Sequence, residues 1–167
     1  GNKIGRRGFG FNSDEIPISF TWEDILNHQQ GRGELKLDND GYSKKFYGYN
    51  ENDSLVSIEL YKRNNDGRII KNLTFYPISS WSKEKFKEEV ERNKLEPYQT
   101  FKWKYDDKGN WIKTSLFTNN ELVSVTRLKY DKFNNRASHK SYDGDGNLVS
   151  RWEYKDRDKM GNWTSRI

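Results

Sequence analysis

The chain has 167 residues, of which 32% are apolar and 15% aromatic, with no cysteine and 30 Lys and Arg against 25 Asp and Glu for a net charge of +5. The missing thiols exclude a disulfide framework and a thiolate metal site, and no run of about eighteen apolar residues exists to cross a bilayer as a helix. With so few aliphatic residues, the ten Tyr, nine Phe and six Trp must supply the core of a chain the size of one domain, a composition that suits strands.

In chain order, residues 1–19, with Gly1, Gly5, Gly8 and Gly10 around Arg6 and Arg7, read as a loose N-terminal arm. The start at Gly1-Asn2 and a lone Met at Met160 read as a trimmed or mature form. Residues 20–33 predict a short helix, with Thr21 as N-cap, Asp24 in the capping-box place, Trp22, Ile25 and Leu26 on the buried side and a stop near Gly31 or Gly33. From 34 to 76 the pattern becomes strand-like, most clearly in Leu55-Val56-Ser57-Ile58-Glu59-Leu60-Tyr61, where Val56, Ile58 and Leu60 fall on one face and Leu55, Ser57, Glu59 and Tyr61 on the other. Residues 77–97 hold the best helical signal, about Trp81 to Asn93, with Phe86, Val90 and Trp81 at helical spacing and Pro97 closing the segment. Residues 98–167 form a second strand-rich stretch in which the rings of Phe101, Trp103 and Tyr105 share one face and Lys102 and Lys104 the other.

One unit recurs through both strand-rich stretches: an aromatic residue, Asp, two variable residues, Gly, Asn and a large apolar residue. It is complete in Tyr105-Asp106-Asp107-Lys108-Gly109-Asn110-Trp111 and in Tyr142-Asp143-Gly144-Asp145-Gly146-Asn147-Leu148. Asp favours the first position of a type I turn and Gly the position that must turn to positive φ, so each copy predicts a hairpin tip with a bulge. The same spacing runs from Asp38 to Gly41, Asn64 to Gly67 and Asp158 to Gly161, and Asn50 to Asp53 and Asp131 to Asn134 place a residue that tolerates the left-handed conformation where Gly would stand. Tips every twelve or thirteen residues leave about seven per strand, roughly 23 Å. The expected fold is mainly β (α+β): a single-domain antiparallel meander of eight to ten strands built from hairpins, with one or two helices, the second packed on the sheet.

The two complete copies, with the terminal Gly161-Asn162-Trp163-Thr164-Ser165-Arg166, resemble the YD repeats of RHS-type bacterial cell-surface proteins, and most nearly the short, uncharacterised envelope members of that group. The likeness covers residues 98–167 and, more weakly, 35–76. It implies an exported bacterial β-protein of the periplasm, outer membrane or cell surface, and it carries no catalytic residues onto this chain.

Asp143-Gly144-Asp145-Gly146-Asn147 resembles the start of a calcium loop, but the twelfth position is Tyr154 in place of Glu, and the turn reading stands. His28 and His139 lack thiol partners for a zinc site and read as surface or rim histidines, the carboxylate pairs Glu88-Glu89 and Asp106-Asp107 fall in a helix and a turn, and the sequons at Asn72 and Asn162 are chance matches if the source is bacterial, as the resemblance implies. Lys102 and Lys104 between rings mimic a single-strand nucleic-acid platform, but the positive charge is scattered among acids along the chain, which argues against that partner. No cofactor or metal is called for. The expected function is a non-enzymatic envelope or secreted scaffold that presents a surface to a protein or a glycan, through an aromatic face drawn from Trp103, Tyr105, Trp111, Trp152 and Tyr154. A hydrolase using two carboxylates in a cleft is the alternative, and a single-stranded nucleic-acid binder the second.

Overall fold

In a computed structural model, which describes residues 5–11, 17–24, 29–157 and 163–166, the turn unit adopts the conformation its residue types demand. Gly41, Gly67, Gly109 and Gly146 have φ of 79°, 76°, 84° and 89°, and Asp53 and Asn134 take the same left-handed place at 58° and 67°. At all six tips the amide of that residue donates to the carbonyl of the Asp or Asn three positions earlier, at 2.9 to 3.2 Å. The Asp or Asn side chain then reaches into its own loop. Asp106 Oδ1 accepts from the amides of Lys108 and Asn110 at 3.1 and 2.8 Å, and Asp38, Asn50, Asn64 and Asp131 make the equivalent pair of bonds. The Asn after the Gly adds a further bond: Nδ2 of Asn110 and of Asn147 donates to the other carboxylate oxygen of Asp106 and Asp143, each at 3.0 Å. Between Thr118 and Glu121 the tip differs, because Asn119 and Asn120 both have positive φ, 50° and 66°, the signature of a two-residue primed turn. The tip expected at Asp158 to Gly161 lies outside the described residues.

The chain divides into two compact units, Gly1–Tyr98 and Gln99–Ile167, at the start of the second strand-rich stretch. In the first unit β1 (Gly5–Phe11), β2 (Pro17–Asp24), β3 (Gln29–Leu37), β4 (Ser43–Asn50), β5 (Leu55–Arg63) and β6 (Ile69–Phe75) pair antiparallel in chain order. Two expectations are corrected here. The loose arm contains a paired strand, and the helix at 20–33 is replaced by strand: Phe20 to Asp24 belong to β2, opposite Gln29 to Gly33 of β3. Thr21 and Asp24 give a local capping signal, but alternate Ile18, Phe20 and Trp22 are strand formers, and pairing on both sides of β2 outweighs a local preference worth a fraction of a kcal/mol per residue, about 0.5. Gly31 and Gly33, read as helix stops, lie within β3, where Gly33 stands opposite Gly48 of β4.

After β6 comes α1 (Lys83–Glu91), capped by Ser82, whose hydroxyl accepts from the Lys85 amide at 3.2 Å. Its end is a Schellman motif: Asn93 is left-handed, its amide bonds Val90 O, and the Lys94 amide bonds Glu89 O. Phe86 and Val90 press onto the sheet face formed by Tyr47, Tyr49, Leu55, Ile58 and Phe75, with Leu60, Leu73, Trp81 and Leu95 around them. Ile58 and Phe86 are each 1% exposed, so this is a closed core. The other sheet face holds a polar chain in which Tyr61 Oη and Asn72 Nδ2 both donate to Glu59 Oε2 at 2.8 and 2.9 Å, and Thr74 Oγ1 donates to Asn72 Oδ1 at 3.1 Å. Burial, and then the bond to Glu59, push the Tyr61 hydroxyl well above its ordinary pKa. Asn72 is 5% exposed.

The second unit comprises β7 (Gln99–Tyr105), β8 (Trp111–Thr118), β9 (Glu121–Tyr130), β10 (Arg136–Asp143), β11 (Leu148–Arg157) and β12 (Trp163–Arg166), again antiparallel in chain order. The molecule is therefore mainly β, an antiparallel meander with one short helix packed on the sheet of the first unit; twelve strands stand among the described residues where eight to ten were expected.

Candidate functional site

Cross-strand register decides which side chains of the second unit share a face. Phe101, Trp103 and Tyr105 alternate to one side of β7, and Tyr105 stands opposite Trp111 of β8 across a bulge. Trp103 begins a row that continues through Thr114, Thr126, Ser141 and Ser150 on β8 to β11. The next row on the same face pairs Leu128 with His139 and His139 with Trp152, and Tyr154 follows two residues on. All five aromatics singled out in the sequence thus lie on one face, and all five are half-buried.

The rings group on β7–β8 and on β10–β11, at the two ends of the face. Trp103 stacks on Phe101, centroids 5.6 Å apart and planes 19° apart. Trp152 stacks on His139 at 4.2 Å and 17°. The row of hydroxyls runs from Trp103 to Ser150 alongside the row of His139 and Trp152, with Thr126 Oγ1 and Ser141 Oγ 3.3 Å apart. Trp111 Nε1 and Thr114 Oγ1 are shielded from solvent and have no hydrogen-bond partner among the described residues. His139, read from the sequence as a surface or rim residue, is built into the face; His28 lies outside the described residues.

The opposite face of the same sheet is basic. Lys104, Lys113, Arg127, Lys140 and Arg151 are successive cross-strand partners, and Lys102 and Lys129 flank that row. Sequence reading missed this, because the five residues are spread over 48 positions of chain and only register brings them together.

The carboxylate candidates occupy structural places. Glu88 pairs with Arg92 at 2.6 Å on the outside of α1. An open depression of about 630 Å³ next to the β7–β8 tip is lined by Asp106, Asp107 and Asp131, but Asp106 and Asp131 turn oxygens onto their own loop amides. The Asn110 side chain first, and then the loop amides, hold the Asp106 carboxyl below the usual range; Asn147 does the same for Asp143. Glu34 and Asp53 are lowered by Arg32, and Glu91 by Lys45. Every displaced carboxylate among the described residues is displaced downward, opposite to what a general acid requires. The loop at Asp143 to Asn147 is a hairpin tip, and no cluster of three metal-ligating groups stands among the described residues.

No family model matches the chain, and no curated protein matches it. Among solved structures it is similar to a chain described as the crystal structure of TcdB2-TccC3-Cdc42, with a TM-score of 0.39 and 10% identity over 97% of this chain and 10% of that one. The present chain spans about a tenth of the length of that chain.

Proposed function

We propose that this chain is a non-enzymatic, exported β-scaffold whose second meander offers its aromatic face to a glycan. The observation that carries the reading is the convergence of Trp103, Tyr105, Trp111, Trp152 and Tyr154 on one face, half-buried, with Trp103 at the head of a row of hydroxyls and the other four along one flank of it. Rings stack on the apolar faces of sugars, and hydroxyls beside them satisfy sugar hydroxyls, a pairing of apolar and polar contacts that a purely structural core does not need. The downward carboxylate shifts support a scaffold over a hydrolase, and the likeness of the hairpin tips to YD repeats supports an exported setting.

A glycan array probed with the intact chain, read beside Trp103→Ala and Trp152→Ala, tests the reading. Each variant is expected to weaken the captured glycan by about tenfold or more, as truncation of a central aromatic anchor does. Binding that neither substitution alters removes the aromatic face from the function. Failure to bind any glycan, with a protein captured through the same two tryptophans, moves the partner to a protein.

A further inference from the structure

The basic row on the other face has a cost that the fold does not require. Lys104 stands opposite Lys113, Lys113 opposite Arg127, Arg127 opposite Lys140, and Lys140 opposite Arg151. Like charges directly opposite one another destabilise a sheet, and here four such pairs follow in one line. Strands about 4.8 Å apart make that line about 19 Å long. Lys102 and Lys129 add charge on either side. The carboxylate that the register puts on this face is Glu153, beside Ser138, and it reaches Lys140 at 3.9 Å. Lys102 and Arg127 lie over Phe117 and Tyr142, 4.4 and 5.4 Å from the ring centroids, which holds their charge on the face without neutralising it.

One flank of the line is apolar. The adjacent row runs from Lys102 through Ser115, Val125 and Tyr142 to Leu148, and beyond it Phe117 stands opposite Leu122. Val125 is buried, whereas Leu122 and Leu148 are 38% and 49% exposed. A line of fixed positive charge beside a strip of partly exposed rings and aliphatics matches a polymer with anions along its backbone and flat apolar groups to one side. We propose that this face binds single-stranded nucleic acid, with phosphates along the row from Lys104 to Arg151 and bases over the Tyr142 and Leu148 strip. A polyuronate has the charge without the apolar half. A duplex keeps its bases stacked inside and leaves the apolar strip without a partner, whereas a single strand presents phosphates and free base faces together. The acids at the β7–β8 and β9–β10 tips keep the strand off the tips: Asp107 is exposed there, while Asp106 and Asp131 are engaged by their loops.

Fluorescence anisotropy of a labelled oligothymidylate with the full chain, over a salt series, tests the proposal. Five phosphates displaced along the row give a slope of log K against log salt of about −3.5, an affinity falling about a hundredfold from 50 to 200 mM salt. Lys113→Gln and Arg127→Gln are each expected to shallow the slope by about 0.7 while thermal stability holds or rises, since each removes two like-charge contacts. Leu148→Ser is expected to weaken binding with the slope unchanged, and Trp103→Ala, on the far face, to alter neither. Equal or tighter binding of a polyuronate or of duplex DNA, a slope indifferent to both neutralising variants, loss of stability in those variants, or no binding at 50 mM salt each overturns it.

Discussion

The two meanders are built from the same hairpin tip and finished differently. In the first, α1 closes over one sheet face, and Tyr49, Ile58, Phe75 and Phe86 are almost wholly withdrawn from solvent. In the second, the described residues include no helix, full burial of apolar side chains is confined to Val125 and Leu128, and rings on both faces remain half-buried. The tip unit therefore specifies a sheet, and it is the covering element that converts a sheet face into a core. Without such a helix among its described residues, the second meander keeps its rings half-buried and much of its charge exposed, which is why both binding readings fall on it.

Truncation separates the two units most strongly. Phe86→Ala empties the centre of a closed core and is expected to cost the first unit about 3–5 kcal/mol. Trp103→Ala removes a ring that solvent already reaches, so its cost to the second unit is expected to be roughly half of that or less. Urea unfolding followed through assigned amide signals reads each unit on its own. Equal losses would mean that Trp103 is core, and the comparison would fail along with the aromatic binding face.

The sequence made the tips legible because every requirement of a tip is local: an Asp or Asn acceptor, a left-handed residue three positions on, and in two copies an Asn to complete the carboxylate's bonds. The helix was legible for the same reason, its Phe86–Val90 stripe lying within one turn, although it starts at Lys83 after the Ser82 cap and not at Trp81. Register is not local. Whether Tyr105 meets Trp111, or Lys113 meets Arg127, depends on bulges such as the one between Lys104 and Tyr105, and a slip of one residue exchanges the two faces. The scattered charge that argued against a polyanion along the chain is gathered by that register into one row. The same limit explains the misread N-terminus, where Thr21 and Asp24 are consistent with a cap and only the partners of β2 exclude it.

A smaller effect tests the tip itself. A Cβ at Gly144 would collide with the Leu122 carbonyl, whereas one at Gly146 meets nothing within 4 Å, so Gly146→Val isolates the φ of 89° as the source of strain. The expected cost is about 1 kcal/mol, with Gly144→Ala costing more. Thermal melts of the two variants decide it, and a neutral Gly146→Val would remove positive φ as the reason for the recurring glycine.

The acid limb of stability should divide the units by its cause. In both, carboxyls titrate lower in the fold than in the open chain, so each contributes stability that is fully present above the ordinary value near pH 4, about 3.9 for Asp, and is lost as pH falls below it. In the first unit the depression comes from cations, Arg32 on Glu34 and Asp53 and Lys45 on Glu91, and these pairs are partly exposed. In the second it comes first from the neutral side chains of Asn110 and Asn147. Salt at about 1 M shrinks the screening length to about 3 Å, so it is expected to flatten the acid limb of the first unit and leave that of the second in place. Asp106→Asn with Asp143→Asn, which imitates the Asn50 and Asn64 tips of the first unit, is expected to flatten only the second. Amide NMR from pH 7 down to pH 2, with and without salt, resolves the two limbs. A second-unit limb that moves with salt as far as the first, or survives the double substitution, would show that its tips are held by charge and not by their own loop hydrogen bonds.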